Sequence, residues 1–135
     1  MRNLATLLLI IIASFLLSAA NRAFDYEPAI SELRGELLEE SRPGPPNYGE
    51  RLSDSIERVF LLELDKPIDI NAAENDELNT KNFHNITELQ LAGDTSSLPA
   101  FVGKTVRVRG KLFQGHNGHH YTDVVMSVES IEVPE

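Results

Sequence analysis

Three of the chain's four histidines stand within five positions, His116, His119 and His120, and Asp123 follows them closely. Imidazole nitrogens suit zinc, copper or nickel, and a carboxylate adds an oxygen donor. His116, His119, His120 and Asp123 are therefore candidate ligands for zinc or another transition metal. In extended chain His119 and His120 point to opposite faces, so one ion can hold both only if the backbone turns. Gly118 permits that turn. The spacing matches no standard zinc signature, and no cofactor signature is complete. The same imidazoles titrate near neutrality and could act as general bases. No serine–histidine–acid order and no glycine-rich phosphate loop accompanies them. Two further readings stay open: the His and Tyr side chains hydrogen-bond the loop's own backbone, or His116, His119, His120 and Tyr121 form a ligand surface without metal.

A second unusual stretch is Pro43-Gly44-Pro45-Pro46-Asn47-Tyr48-Gly49. Its prolines reduce the entropy lost when the loop is ordered. Asn47 offers an amide, and Tyr48 a flat ring with a hydroxyl at its tip, a good recognition surface. The alternative is that Tyr48 packs over the mouth of the fold and the prolines only stiffen the connection.

The elements that must position these stretches are strands. The clearest is Thr105–Leu112, where Thr105, Arg107, Arg109 and Lys111 alternate with Val106, Val108, Gly110 and Leu112, the period-two pattern of a half-buried strand. Val124, Met126 and Val128 repeat the pattern, and Ile131 and Val133 extend it past a bulge near Glu129 and Ser130. The two strands flank Gln114–Asp123 and predict a hairpin with an elongated tip. Upstream, Ile30–Leu38 places Leu33, Gly35 and Leu37 on one face. Arg58–Leu64 places Phe60, Leu62 and Leu64 opposite Val59 and Leu61, with Ile68 and Ile70 continuing after a break at Pro67. Ile86–Leu91 places Thr87, Leu89 and Leu91 together. Asn21–Pro28 reads as a lead-in, Ser41–Ser55 as a proline-stiffened loop, and Asn71–Asn82 as a polar excursion. Leu98–Val102 suits a single helical turn, with Ser96 and Ser97 before it, Pro99 early and Gly103 at its stop. Five coiled strands with a helical turn between the third and fourth predict an all-β fold, a small five-stranded OB-like barrel. The binding surface of such a barrel lies on strands two and three and on the loops joining strands one to two and four to five. Those loops are the two unusual stretches. A partly open β-sandwich is the competing architecture.

The chain has 135 residues and no cysteine, so one domain must stand on packing without disulfides. Arg2, the apolar run Leu4–Leu17 and Ser18-Ala19-Ala20 have the order of a secretory signal peptide. Cleavage is expected after Ala20, with Ala23 as the second choice. This leaves residues 21–135 as a single domain, periplasmic or secreted, with no membrane span after cleavage. Formal net charge is −9, and removing residues 1–20 removes Arg2 and no acid, leaving −10. That balance opposes general nucleic-acid binding, which needs a basic footprint.

Several of these stretches together resemble a bacterial domain of unknown function, DUF4431. They are Pro43 to Tyr48, Leu64-Asp65-Lys66-Pro67-Ile68, and Gly110-Lys111-Leu112-Phe113 followed by His116 and His119-His120. The resemblance runs from about Tyr26 to Val133. Members often carry a third consecutive histidine and then Thr-Pro, where this chain has Tyr121, Thr122 and Asp123. A metal site resting on that run would lose one imidazole here, with Asp123 as the substitute. The family implies no established activity. Similar domains accompany lysozyme-inhibitor-like modules in envelope proteins, which implies an envelope binding role.

The function expected is an exported envelope or periplasmic binding module, non-enzymatic, whose partner is an unknown envelope protein or a polar or cationic ligand. Its contacts would come from Asn47, Tyr48, His116, His119, His120 and Tyr121. The alternatives are a small metal-dependent hydrolase using the His116–Asp123 turn and a passive metal-binding protein.

Overall fold

The structure, a computed structural model, describes residues 20–135. The expected export segment lies outside the described residues except for Ala20. Six strands and one short helical turn follow in the order β1 (Arg22–Asp25), β2 (Ile30–Pro43), β3 (Ile56–Asn71), β4 (Phe83–Ala92), a 3-10 turn (Leu98–Phe101), β5 (Thr105–Gln114) and β6 (Val124–Glu132). Among the described residues no helix is long and apolar enough to cross a membrane.

The fold is all-β and barrel-like. β2 pairs with both β3 and β5, β5 with β6, β6 in parallel with β4, and β4 back with β3, so five strands form a ring of hydrogen bonds. Followed from Glu39 through Phe60, Leu91 and Met126 to Leu112, the register reaches the neighbour of Lys111, which pairs with Ile30, so the circuit returns to β2 far before its start. Such a stagger tilts the strands steeply about the ring axis. Inside it lie Leu37, Leu62, Leu89, Val106, Val108, Leu112 and Met126, all fully buried. The helical turn drives Leu98 into the same core, where it too has no exposed surface.

Several expectations need correction. Asn21–Pro28 is more than a lead-in, because β1 pairs in parallel with Ile68–Asn71 and adds a sixth strand. The first long strand does not stop at Leu38 but runs to Pro43, still paired with β3. β3 passes straight through Pro67. Its ladder with β2 ends at Leu64 and its register with β4 shifts between Glu63 and Ile68, so proline sits where no ladder bond is needed. Ile86, not Thr87, packs against the core, because the register with β3 shifts between Glu63–Glu88 and Ile68–Ile86 and breaks the alternation. The expected bulge is present. Arg109 pairs with Ser130 and Gly110 with Val128, so Glu129 is the extra residue.

The opposite face of the sheet has a cover of its own. Leu61, Gln90, Val125 and Phe113 stand side by side on four neighbouring strands, and Leu61 and Val125 are fully buried although neither belongs to the interior cluster. Residues directly opposite each other share a face, so this row lies outside the ring. The tip of the β5–β6 hairpin folds over it.

Candidate functional site

The tip is held down by one side chain. Gln90, 8 % exposed near the end of β4, donates to the His119 carbonyl at 3.0 Å and accepts from the Tyr121 amide at 2.7 Å. The Gln90 amide donates to the Thr122 hydroxyl at 2.9 Å. Buried polar groups need such partners, and here the partners are the backbone of the loop that covers them. Sequence reasoning passed over Gln90. The signal was present, a lone amide between Leu89 and Leu91 in a strand buried on both faces.

The proline loop is ordered from within. Asp54 accepts from the backbone N–H groups of Asn47 (3.0 Å), Gly49 (2.9 Å) and Arg51 (3.1 Å), and from the Asn47 side-chain amide at 3.0 Å. Burial raises its carboxyl, but those bonds outweigh it and hold the group below the ordinary carboxylate value. Tyr48 adopts φ 51° and Gly49 φ 100°, which turns the Tyr48 ring out to solvent at 42 % exposure.

The two loops meet. The rings of Tyr48 and His119 stand 6.2 Å apart in an edge-on arrangement. A Cβ at Gly118 would lie 2.6 Å from the Tyr48 hydroxyl oxygen and ring, so a larger residue there would push the Tyr48 ring aside. Glu57, at the start of β3, holds the tip from the strand side. One carboxylate oxygen pairs with Nδ1 of His119, and the other accepts from the Tyr121 hydroxyl at 2.7 Å. That hydroxyl also lies 3.0 Å from the Pro43 carbonyl. Burial, then the bond to Glu57, pushes the Tyr121 hydroxyl up to about 12, so it stays protonated and donating. A hollow of about 220 Å³ lies beside this junction, lined by Glu57, Val59, Gln90, His119 and His120 among others.

The expected site residues thus divide. Tyr48 and His119 share one exposed face. Asn47 and Tyr121 sit with them, but their polar groups tie the loops to the chain itself. His116 and His120 occupy another part of the tip. Their rings lie 4.7 Å apart, and that of His120 stands 5.1 Å from Phe113. Nδ1 of His120 accepts from the His116 backbone amide at 3.1 Å. These two imidazoles line an open depression of about 500 Å³ together with Lys81, Thr122 and Asp123. His84 is engaged elsewhere, 3.5 Å from Asp69. Among the described residues no group of three or more His, Cys, Asp or Glu side chains is arranged to hold a metal ion. The set His116, His119, His120 and Asp123 therefore does not converge as a coordination shell, because His119 turns to Glu57 while His116 and His120 stack near Phe113.

The fold and its joined loops define a small all-β domain with a loop-built face carrying an aromatic ring, an imidazole and a carboxylate. A family model described as a domain of unknown function, DUF4431, matches residues 88–132. This is the family whose motifs the chain resembles, and the match runs from the end of β4 through β5, the tip and β6. No curated protein and no solved structure matches the chain.

Proposed function

We propose that the chain is an exported, non-enzymatic binding module of the cell envelope that takes a cationic or polar partner on the face formed by Tyr48 and His119. The observation that carries this reading is the exposed Tyr48 ring set beside His119, whose imidazole is paired with the Glu57 carboxylate. An ammonium or guanidinium group over a tyrosine face gains from the ring quadrupole, and a nearby carboxylate adds to the attraction. The acid excess of the chain favours the same sign of partner. The face is also pre-organised, since Gln90, Tyr121 and Asp54 hold its two loops without help from a ligand, which lowers the entropy cost of binding. Export rests on the order of residues 1–20, and the envelope on the family resemblance. The loop imidazoles are engaged with protein groups rather than aimed at a common point, so the metal-dependent hydrolase and metal-carrier readings lack a favouring observation.

The test is a titration of isotope-labelled protein followed by amide NMR, with capped trilysine as the probe and capped triglutamate as the control. Trilysine is expected to move the signals of Tyr48, His119 and their loop neighbours, and Tyr48→Ala to abolish the movement with the rest of the spectrum retained. Equal response to both peptides, or shifts scattered over the surface, would overturn the reading.

A further inference from the structure

A second feature, at the other end of β2 and β3 from the Tyr48 face, is a break in the sheet. β2 and β3 pair from Pro43 and Ile56 down to Gly35 and Leu64 and no further. At Gly35 their backbones press together, since a Cβ there would stand 2.1 Å from the Glu63 carbonyl oxygen. Beyond this pinch the strands part. β2 continues beside β5 through Ile30–Arg34, while β3 takes β1 as its neighbour. β1 and β2 now face one another, joined only by the turn Tyr26–Ala29, and no pairing connects them. Among the described residues both facing strand edges lack a partner. An unpaired edge is a template for another strand.

The space between is a cleft of about 710 Å³. Phe24, Leu33, Leu64 and Ile68 make its apolar floor. Its rim reverses the charge of the molecule. The chain carries 12 Lys and Arg against 21 Asp and Glu, yet Arg22, Arg34, Lys66 and Arg107 line this cleft against only Glu32 and Asp65. Arg34 is held by Asp65 at 3.0 Å and Arg107 by Glu32 at 3.2 Å. The surplus lies with Lys66 and with Arg22, whose guanidinium rests 4.8 Å over the Phe24 ring.

We propose that this cleft binds an extended acidic peptide. Its main chain pairs with the open edge of β2 at Ile30–Arg34, a wall about 16 Å long at the usual strand rise. Apolar side chains on one face of the peptide meet the floor, and acidic side chains meet the cationic rim. A small anionic amphiphile would use the floor and the rim but not the strand edge, and this difference decides the experiment.

The probe is a fluorescently labelled, capped hexapeptide alternating valine and glutamate, followed by anisotropy with the purified protein. The peptide is expected to bind at least about tenfold more tightly than its valine–lysine counterpart, as charge complementarity requires. Methylating its backbone nitrogens should cost about tenfold or more, because ladder bonds are lost. The double exchange Arg22→Glu with Lys66→Glu should weaken the glutamate peptide, while Tyr48→Ala should leave it unchanged, which separates this site from the loop face. No binding at millimolar peptide, or equal affinity for the methylated peptide, overturns the proposal. Displacement by dodecanoate with no penalty for methylation would assign the cleft to an amphiphile instead.

Discussion

His120 shows what a loop imidazole does in this fold. Burial, then the neighbouring His116 and His119, lowers its pKa below the ordinary value of 6.5. Its Nδ1 accepts from the His116 amide, so protonation there removes the lone pair that the bond uses. The folded tip therefore prefers the neutral ring. Because the folded value lies below the unfolded one, the stabilising contribution is fully present above pH 6.5 and is lost as pH falls through the lowered value. The hairpin tip should loosen in mild acid while the ring of strands stays intact. An NMR titration of the His120 ring proton should give a midpoint below 6.5, and His116→Ala should move that midpoint upward by removing a like charge. A midpoint at or above 6.5 would falsify this account of the tip.

At the scale of elements, β5 was legible because most of its length has one wet face and one dry face, and the apolar–polar alternation of β6 was legible beside it although Val124 to Met126 are buried on both faces. β3 was less so. Val59 to Leu62 are buried on both faces, the outer one under the hairpin tip, and an apolar run alone does not say what covers it. β1 was hidden because four residues carry no period and its partner lies more than forty positions away. The end of β2 was hidden because Glu39 to Arg42 are polar on both faces. Of the candidate site, the two loops could be named from composition, and the topology expected from the strand order placed them side by side. Of the residues that hold them, Gln90 was marked only by its place between Leu89 and Leu91, and Asp54 and Glu57 could not be named, since a polar side chain shows its partners only when distant backbone arrives beside it. Gly35 belongs with these elements, because the contact it allows also decides where β2 and β3 separate. Gly35→Ala sets a Cβ against the Glu63 carbonyl, a backbone atom with no rotamer to yield. The cost should reach or exceed the about 1–3 kcal/mol of ordinary overpacking, read as a fall in the urea midpoint. An unchanged midpoint would mean that β2 and β3 can move apart without loss, and the pinch would then not shape the cleft.

The whole molecule is a ring, and a ring opens first at its weakest seam. β2 and β3 share nine paired positions, whereas β4 and β6 share three, Gln90–Ala92 with Val125–Ser127. That short parallel seam is where the barrel-like circuit closes, and Gln90 lies both in it and under the hairpin tip. The loop face and the closure of the fold are thus coupled through one residue. Gln90→Ala leaves the His119 carbonyl and the Tyr121 amide without their partner, a loss of about 1–3 kcal/mol for buried groups that water cannot fully reach. Where the loss appears depends on how the molecule opens. With the seam as the point of local opening, native-state hydrogen exchange should show the β6 amides at Val125–Ser127 losing protection in the variant, while β2 amides between Glu36 and Glu40 keep theirs. Equal loss at both places would mean that the ring opens only by unfolding as a whole, and the tip could not then loosen by itself. The first outcome would let the face proposed to bind adjust without disturbing the core, because the covering loop and the three-residue seam would yield together while the long β2–β3 ladder holds.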